Sequence, residues 1–237
     1  MATRYWVGGT GAWDTSSTTH WSATSGGAAG ASAPTSADSA IFNASSGGGA
    51  VSVTTTAIPS STNFTGFTGT VTGALTCNVV TLGAGGTFSG LAITQRGSGS
   101  TGITCNGKSV ASLLAFNNGG GNGWSAFDAL TVVGTLQFGS GGTAEMFISF
   151  RRSATHAIGA LSIIDSVTST HYINSDLTGT QATLSCASGI QMLKDVTVQD
   201  IAFTGGAEWV AGTGAVINSN VTGLNSYAPS LFFGCPF

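Results

Sequence analysis

Gly-Ala-Leu-Thr-Cys, at residues 73–77, is the first clear copy of a short motif that recurs along the chain. Each copy alternates apolar and polar residues, which is the period of a β-strand with one buried face. The Leu or Ile positions are spaced as expected for one coil of a repeat architecture. The other copies are Gly-Ile-Thr-Cys at 102–105, Asp-Ala-Leu-Thr-Val at 128–132, Gly-Ala-Leu-Ser-Ile at 159–163 and Ala-Thr-Leu-Ser-Cys at 182–186.

Short alternating runs separated by glycine and Ser/Thr turns predict an all-β protein, because glycine interrupts every stretch long enough for a helix. We expect a parallel β-helix in which similar side chains stack in ladders from coil to coil. A β-sandwich or jelly roll remains the alternative, since the spacing of the motif is imperfect. The predicted organisation is one structural domain with a cap segment at 1–45, a solenoid body at 46–225 and an apolar tail at 226–237.

The composition is poor in charge: 237 residues include 6 Lys or Arg and 9 Asp or Glu, but 37 Gly. Thirteen Phe and a 41% apolar content argue against disorder. So few basic residues cannot form the cationic surface that nucleic acids require. The formal net charge of −3 gives weak repulsion between copies, so self-association is expected.

The chain also lacks the sequence signals of export and membrane insertion. Residues 1–9 contain no apolar run typical of a secretory signal, and no stretch of about 18 apolar residues occurs. We therefore predict neither export by a signal peptide nor insertion into a membrane.

Three segments carry a resemblance that composition alone does not explain. Residues 6–13 are Trp-Val-Gly-Gly-Thr-Gly-Ala-Trp, Trp-Ser follows at 21–22, and residues 34–42 are Pro-Thr-Ser-Ala-Asp-Ser-Ala-Ile-Phe. This opening resembles that of phage virion and bacterial surface β-solenoid proteins, and residues 196–209 are similar to a late coil of the phage-type members. The resemblance implies a β-solenoid displayed on a virion or cell surface.

The tryptophans divide into two predicted roles. Trp6, Trp13 and Trp21 are expected to cap the N-terminal end of the solenoid, where apolar ladder positions need cover. Trp124 and Trp209, or the tyrosines, are candidates for exposed platforms that stack on sugars. Within the cap segment at 1–45, Asp38 is expected to cap a turn through nearby backbone rather than to act in catalysis.

Cysteines at 77, 105 and 186 each follow an aliphatic residue by two positions, which places both on the same face of a strand. We expect reduced, inward-facing thiols rather than disulfides, and the cysteine and histidine spacing favours no metal site.

Acidic residues are scarce but need to be considered, because β-helices host polysaccharide hydrolases and lyases. Asp165, Asp195 and Asp200 are the acids that neighbouring coils could bring together, with Arg151, Arg152 or His156 nearby. Asp195 follows Lys194 and is more simply an exposed turn. We predict no catalytic residues, no cofactor and no enzymatic activity.

The last segment is apolar and terminal, with Leu231, Phe232, Phe233 and Phe237 in eight residues. It is expected to fold back on the last coil or to contact other subunits. The chain is expected to form a homo-oligomer, a trimer by analogy.

The leading function hypothesis is a non-enzymatic protein on the exterior of a phage virion, as a capsid decoration or tail fibre or spike component. It would contact other virion proteins. The alternatives are an adhesin that binds host glycan and a β-helix polysaccharide hydrolase or lyase.

Overall fold

A computed structural model describes residues 1–54, 59–97, 101–117, 123–140, 145–164 and 170–226. Nearly all of the regular structure is short strands, and a 3-10 helix covers Ala44–Ser46. The strands are β1 (Thr3–Trp6), β2 (Gly11–Trp13), β3 (Trp21–Ser22), β4 (Ser39–Ile41), β5 (Ala50–Val53), β6 (Ser61–Asn63), β7 (Thr70–Cys77), β8 (Val79–Thr81), β9 (Thr87–Gly97), β10 (Thr101–Thr104), β11 (Ser109–Val110), β12 (Ser112–Asn117), β13 (Gly123–Ala126), β14 (Thr131–Ser140), β15 (Phe147–Phe150), β16 (Thr155–Ile163), β17 (His171–Ser175), β18 (Ala182–Cys186), β19 (Ile190–Leu193), β20 (Val196–Gln199), β21 (Ile201–Thr204), β22 (Glu208–Ala211), β23 (Val216–Ile217) and β24 (Asn225–Ser226).

Across the described residues these strands form three sheets, and the chain alternates between the first two as it advances. Sheet A has the order β23-β20-β17-β15-β13-β10-β8-β6-β4-β1-β3. Sheet B has the order β2-β5-β7-β9-β12-β14-β16-β18-β21, with β11 beside β14, and sheet C is β19-β22-β24. Neighbours pair in parallel, except that β3 runs antiparallel to β1. The fold is therefore the predicted parallel β-helix, and the antiparallel sandwich or jelly roll is wrong.

A continuous aliphatic ladder forms the core side of sheet B. Leu75 pairs with Ile93, Ile93 with Leu113, Leu113 with Leu136, and Leu136 with Leu161. The first four are buried and the fifth packs against the core. Because each residue lies above an apolar neighbour of similar size, no coil needs a charged interior partner.

The recurring motif of the sequence does not form one ladder. Ile103 lies in sheet A, where it pairs with Val80 and Ala126, whereas Leu184 pairs with His156 and Phe203 in sheet B. Coil length also varies. Fewer residues separate the register partners Ser61 and Val79 than separate the register partners Thr155 and Thr183. The motif therefore indicates where strands lie, although Leu130 precedes β14, and it does not give their register.

Residues 1–45 contribute β1 to β4 to both long sheets. Trp6, Trp13 and Trp21 are buried there against Phe42, with ring centroids 5.2 to 5.7 Å apart. Trp13 lies in the end strand of sheet B and Trp21 in that of sheet A. The indoles thus fill the N-terminal end of the core, and Phe64 continues the aromatic packing below Phe42 at 4.7 Å.

Asp38 closes the turn that begins at Thr35. Its carboxylate accepts hydrogen bonds from the Ala2 amide at 2.8 Å and from the amide and hydroxyl of Thr35 at 3.0 and 2.7 Å. These bonds, led by the Thr35 hydroxyl, lower the pKa of Asp38 to about 2. The predicted role of Asp38 as a turn cap is confirmed.

No helix in the described ranges is both long and apolar enough to cross a membrane.

Glycine is required at several corners because the backbone of the preceding coil occupies the space of a side chain. A Cβ on Gly205 would collide with the carbonyl oxygen of Cys186, and one on Gly69 with that of Gly49. Gly205 also has a φ of +95°, which L side chains rarely adopt. By contrast, a Cβ on Gly179, with a φ of +82°, would meet nothing within 4 Å.

Gly205→Ala should lower the free energy of unfolding by about 3 kcal/mol, because it combines a strained φ with a backbone collision. Gly179→Ala is the matched control and should cost only about 1 kcal/mol, since it has the strain without the collision. Urea unfolding followed by circular dichroism measures both. Equal losses in the two variants would contradict the steric account.

Cys77, Cys105 and Cys186 are free thiols with at most 1% exposure, so their predicted inward orientation is confirmed. Burial raises the pKa of Cys77 to about 12, and burial together with the Asp128 charge does the same for Cys105. A buried thiol with a raised pKa presents almost no thiolate to a reagent.

Native protein treated with iodoacetamide at neutral pH should therefore remain unmodified at Cys77 and Cys105. Unfolding in urea should expose both to full labelling. Peptide mapping by mass spectrometry measures the modification of each cysteine separately. Rapid modification of either thiol in the native state would contradict its inward orientation.

Candidate functional site

The two tryptophans predicted to contact sugars lie inside the helix. Trp124 is fully buried, pairs with Ile148 on the core side of sheet A, and donates from Nε1 to Gln95 Oε1 at 2.6 Å. Trp209 is 2% exposed and donates to the Thr204 carbonyl at 3.0 Å. The prediction that either is an exposed sugar platform is wrong, because both rings face the core and their N–H groups are satisfied internally.

The predicted acids do not share one arrangement. Asp195 lies in a turn with a φ of 51°, where it forms a half-exposed ion pair of 3.7 Å with Lys194. Asp200 is buried, with a φ of 57°. Asp165 lies outside the described residues.

Asp200 is held by three hydrogen bonds. Asn220 Nδ2 donates at 2.8 Å, the Gly179 amide at 3.0 Å and Gln199 Nε2 at 3.2 Å. Burial alone would raise the pKa of Asp200, but the hydrogen bonds outweigh it and lower that pKa. This carboxylate remains ionised and joins two neighbouring coils.

Arg151 and Arg152 meet an acid that the sequence interpretation missed. Asp176 accepts from Arg151 Nη1 at 2.9 Å and from the Arg152 amide at 2.8 Å. Phe150 and Ser175 are register partners, so the residues that follow them become neighbours on adjacent coils. Only the register reveals this contact, because the two segments share no sequence motif.

His156 belongs to the interior rather than to a surface site. Its Nδ1 accepts from the Leu130 amide at 3.2 Å, so Nε2 carries the proton and donates to the Arg151 carbonyl at 3.1 Å. The ring is fully buried, with Phe150 at 4.8 Å, and this burial lowers the pKa of His156. The histidine is neutral and stabilises a corner of the helix.

A groove of about 250 Å³ lies on the outer face of sheet A. We call it the sheet-A groove. It crosses β15, β17 and β20 and reaches the residue after β23. Its lining residues are Phe147, Tyr172, Ile173, Asn174, Ser175, Thr178, Thr197, Gln199, Asp200 and Asn218.

Strand alternation creates the aromatic wall of the groove. Ile148 and Ile173 point into the core, so Phe147 and Tyr172 point outward. The two outward residues are register partners and stack with centroids 4.8 Å apart and 10° between their planes. On the next strand Tyr172 pairs with Thr197, which is too small to continue the stack. The second face of the Tyr172 ring is therefore directed at the groove.

Polar side chains, most of them amides, form a parallel row beside the aromatic one. Ser149, Asn174 and Gln199 are successive register partners on β15, β17 and β20, and Asn218 follows β23. Asn174 Nδ2 donates to the Ser175 carbonyl at 2.7 Å, and Gln199 Nε2 donates to Asp200. These bonds orient the amides next to the open face of Tyr172.

Comparison with protein-family models, curated proteins and solved structures finds no match to this chain. Over the described ranges, no group of three His, Cys, Asp or Glu side chains is placed to hold a metal ion. The predicted assembly residues Leu231, Phe232, Phe233 and Phe237 lie outside the described residues, which end at Ser226.

His156 predicts a pH dependence of stability. Its folded pKa lies below the ordinary value of 6.5, so the unfolded chain binds the proton more tightly. Stability from the neutral ring is complete above pH 6.5 and falls as the pH drops below it, by at most about 1.4 kcal/mol per pH unit.

His156→Gln keeps an acceptor and a donor without a titrating group, and it should flatten this part of the stability profile. Urea unfolding of wild type and variant at a series of pH values measures the difference in slope. Parallel profiles would show that His156 does not titrate on unfolding.

Proposed function

We propose that this chain is a non-enzymatic structural protein on the exterior of a phage virion, as a capsid decoration or a tail fibre or spike component. The observation that carries the proposal is the difference between the two ends of the β-helix. At the N-terminal end the edge of sheet A is covered by the chain itself, whereas the last described strand of sheet A presents apolar side chains. A rod with this asymmetry suits attachment to a larger assembly by one end.

The N-terminal edge of sheet A is covered by its own chain. Trp21, on the end strand of sheet A, is buried, and its carbonyl accepts from the amides of Gly30 and Ala31 at 3.0 and 2.9 Å. Such cover prevents another strand from adding to the edge. This end is therefore suited to solvent rather than to assembly.

The last described strand of sheet A differs. Ile217 continues the core ladder of Ile173 and Val198, yet it is 42% exposed, and Val216 beside it is 51% exposed. Apolar residues at the end of a sheet favour contact with another surface. The low charge of the chain adds little repulsion between copies.

The proposal includes self-association, with a trimer as the expected state by analogy with the resembled phage proteins. Residues Leu231, Phe232, Phe233 and Phe237 follow this strand in the chain and are proposed to take part in the same contacts. The partners are then other copies of the chain and other virion proteins. The resemblance of residues 6–13 and 34–42 to phage solenoid proteins supports the same location.

Quantitative mass spectrometry of purified virions from the phage that encodes the chain tests the location. We expect a fixed copy number per particle that survives gradient purification. Absence from purified particles would overturn the proposal.

Replacing both Val216 and Ile217 by Asp should reduce self-association and incorporation into virions, because a charge at this end opposes apolar contact. Val133→Asp is the matched control, since Val133 is 62% exposed but lies on β14, along the body of the helix. Light scattering of the purified proteins measures the oligomer, with circular dichroism confirming the fold. Equal behaviour of the two variants would contradict attachment through this end.

A further inference from the structure

We infer that the sheet-A groove is a binding site for a neutral saccharide unit, with the open face of Tyr172 as its stacking platform. The decisive juxtaposition is an aromatic stack that stops at Thr197 beside a row of outward amides. This inference does not depend on a virion location, since it concerns only the side wall of the helix.

Sugar rings pack their C–H faces on aromatic faces while their hydroxyls need donors and acceptors around the rim. Tyr172 offers such a face because Phe147 covers only its opposite side. Phe147 also fixes the orientation of the ring before a ligand arrives, which reduces the entropy lost on binding. The groove therefore combines a preorganised platform with an adjacent polar row.

The polar groups of the groove are of the kind that bind hydroxyls. Asn174, Gln199 and Asn218 contribute amides, and Thr178 and Thr197 contribute hydroxyls. Both classes can donate and accept, so they match the mixed donors and acceptors of a sugar rim. Because the amides lie on successive coils, they can contact hydroxyls spaced along one face of a ring.

The charge of the groove selects against acidic ligands. None of its lining residues is basic, and its one acid, Asp200, is ionised and engaged by Asn220, Gly179 and Gln199. The arginines on the neighbouring corner, Arg151 and Arg152, are paired with Asp176. A carboxylate or sulfate on the ligand would meet no cation and would face the Asp200 charge.

The size of the groove limits the ligand to a small unit. Its volume of about 250 Å³ is below the roughly 300 to 1,000 Å³ of sites that enclose drug-sized ligands. One sugar ring, either free or at the end of a glycan, fits this description. Affinity for a single unit is expected in the millimolar range, as for shallow sites with one platform.

Saturation-transfer and chemical-shift NMR on the full chain can test binding with glucose, galactose, mannose, N-acetylglucosamine and, as the charged comparison, glucuronic acid. At least one neutral sugar should bind and shift the Tyr172 and Thr197 signals, and glucuronic acid should bind more weakly. No binding by any neutral sugar, or preference for glucuronic acid, would overturn the inference.

Tyr172→Ala should weaken binding by roughly tenfold or more, whereas Tyr172→Phe should retain most of it. Phe127→Ala is the matched control, because Phe127 is 53% exposed and is not part of the groove. Equal losses in Phe127→Ala and Tyr172→Ala would contradict the assignment.

Thr197→Tyr offers a test that does not remove a contact. The new ring would extend the Phe147–Tyr172 stack by one coil and cover the face of Tyr172 that the sugar is inferred to use, so the variant should fold and sugar should no longer shift the Tyr172 signals. Binding that still shifts the Tyr172 signals in a folded Thr197→Tyr protein would exclude that face as the platform. Virion incorporation should be unchanged in this variant, so the outcome is distinguishable from a failure of the proposed structural role.

Discussion

Backbone hydrogen bonds between parallel strands hold successive coils about 4.8 Å apart, and every other feature of this molecule has to satisfy that distance. Each side chain lies beside its counterpart on the next coil, so like charges would repel and unequal shapes would leave gaps. The small number of ionisable residues in the sequence follows from this condition. At corners such as Gly69 and Gly205, the preceding coil leaves no room for a Cβ, which accounts for part of the glycine content.

The sequence allowed the fold class to be predicted, because alternation and glycine spacing are local properties. It did not reveal register, which depends on how many residues each corner takes up. Leu75 and Leu161 share a ladder while Ile103 lies in the other long sheet, although all three occupy the same motif. The contact of Asp176 with the two arginines was missed for the same reason.

The same limitation explains why the predicted sugar platforms were wrong. Successive residues of a strand point alternately into the core and outward, and a tryptophan points inward only if it falls on a core-facing position. In β13, Trp124 falls on such a position. The better candidate, Tyr172, stands beside Ile173 in a strand whose alternation is visible in sequence. Its stacking with Phe147 and the small Thr197 beyond it were not predictable, since three separate coils contribute to them. Outward side chains do not contribute to the core, so the alternation that predicts the fold does not predict their chemistry.

The antiparallel β3 has a consequence for the way the chain acquires its structure. Because β1, β2 and β3 precede all the other strands in the chain, the closed end is synthesised before the rest of the β-helix. Each later strand then pairs with one that precedes it by a single coil, so every new coil finds its template already synthesised. Folding can advance in the direction of translation, with only the newest edge unpaired at any moment. The direction in which coils are added to the β-helix is therefore the direction in which the chain is synthesised.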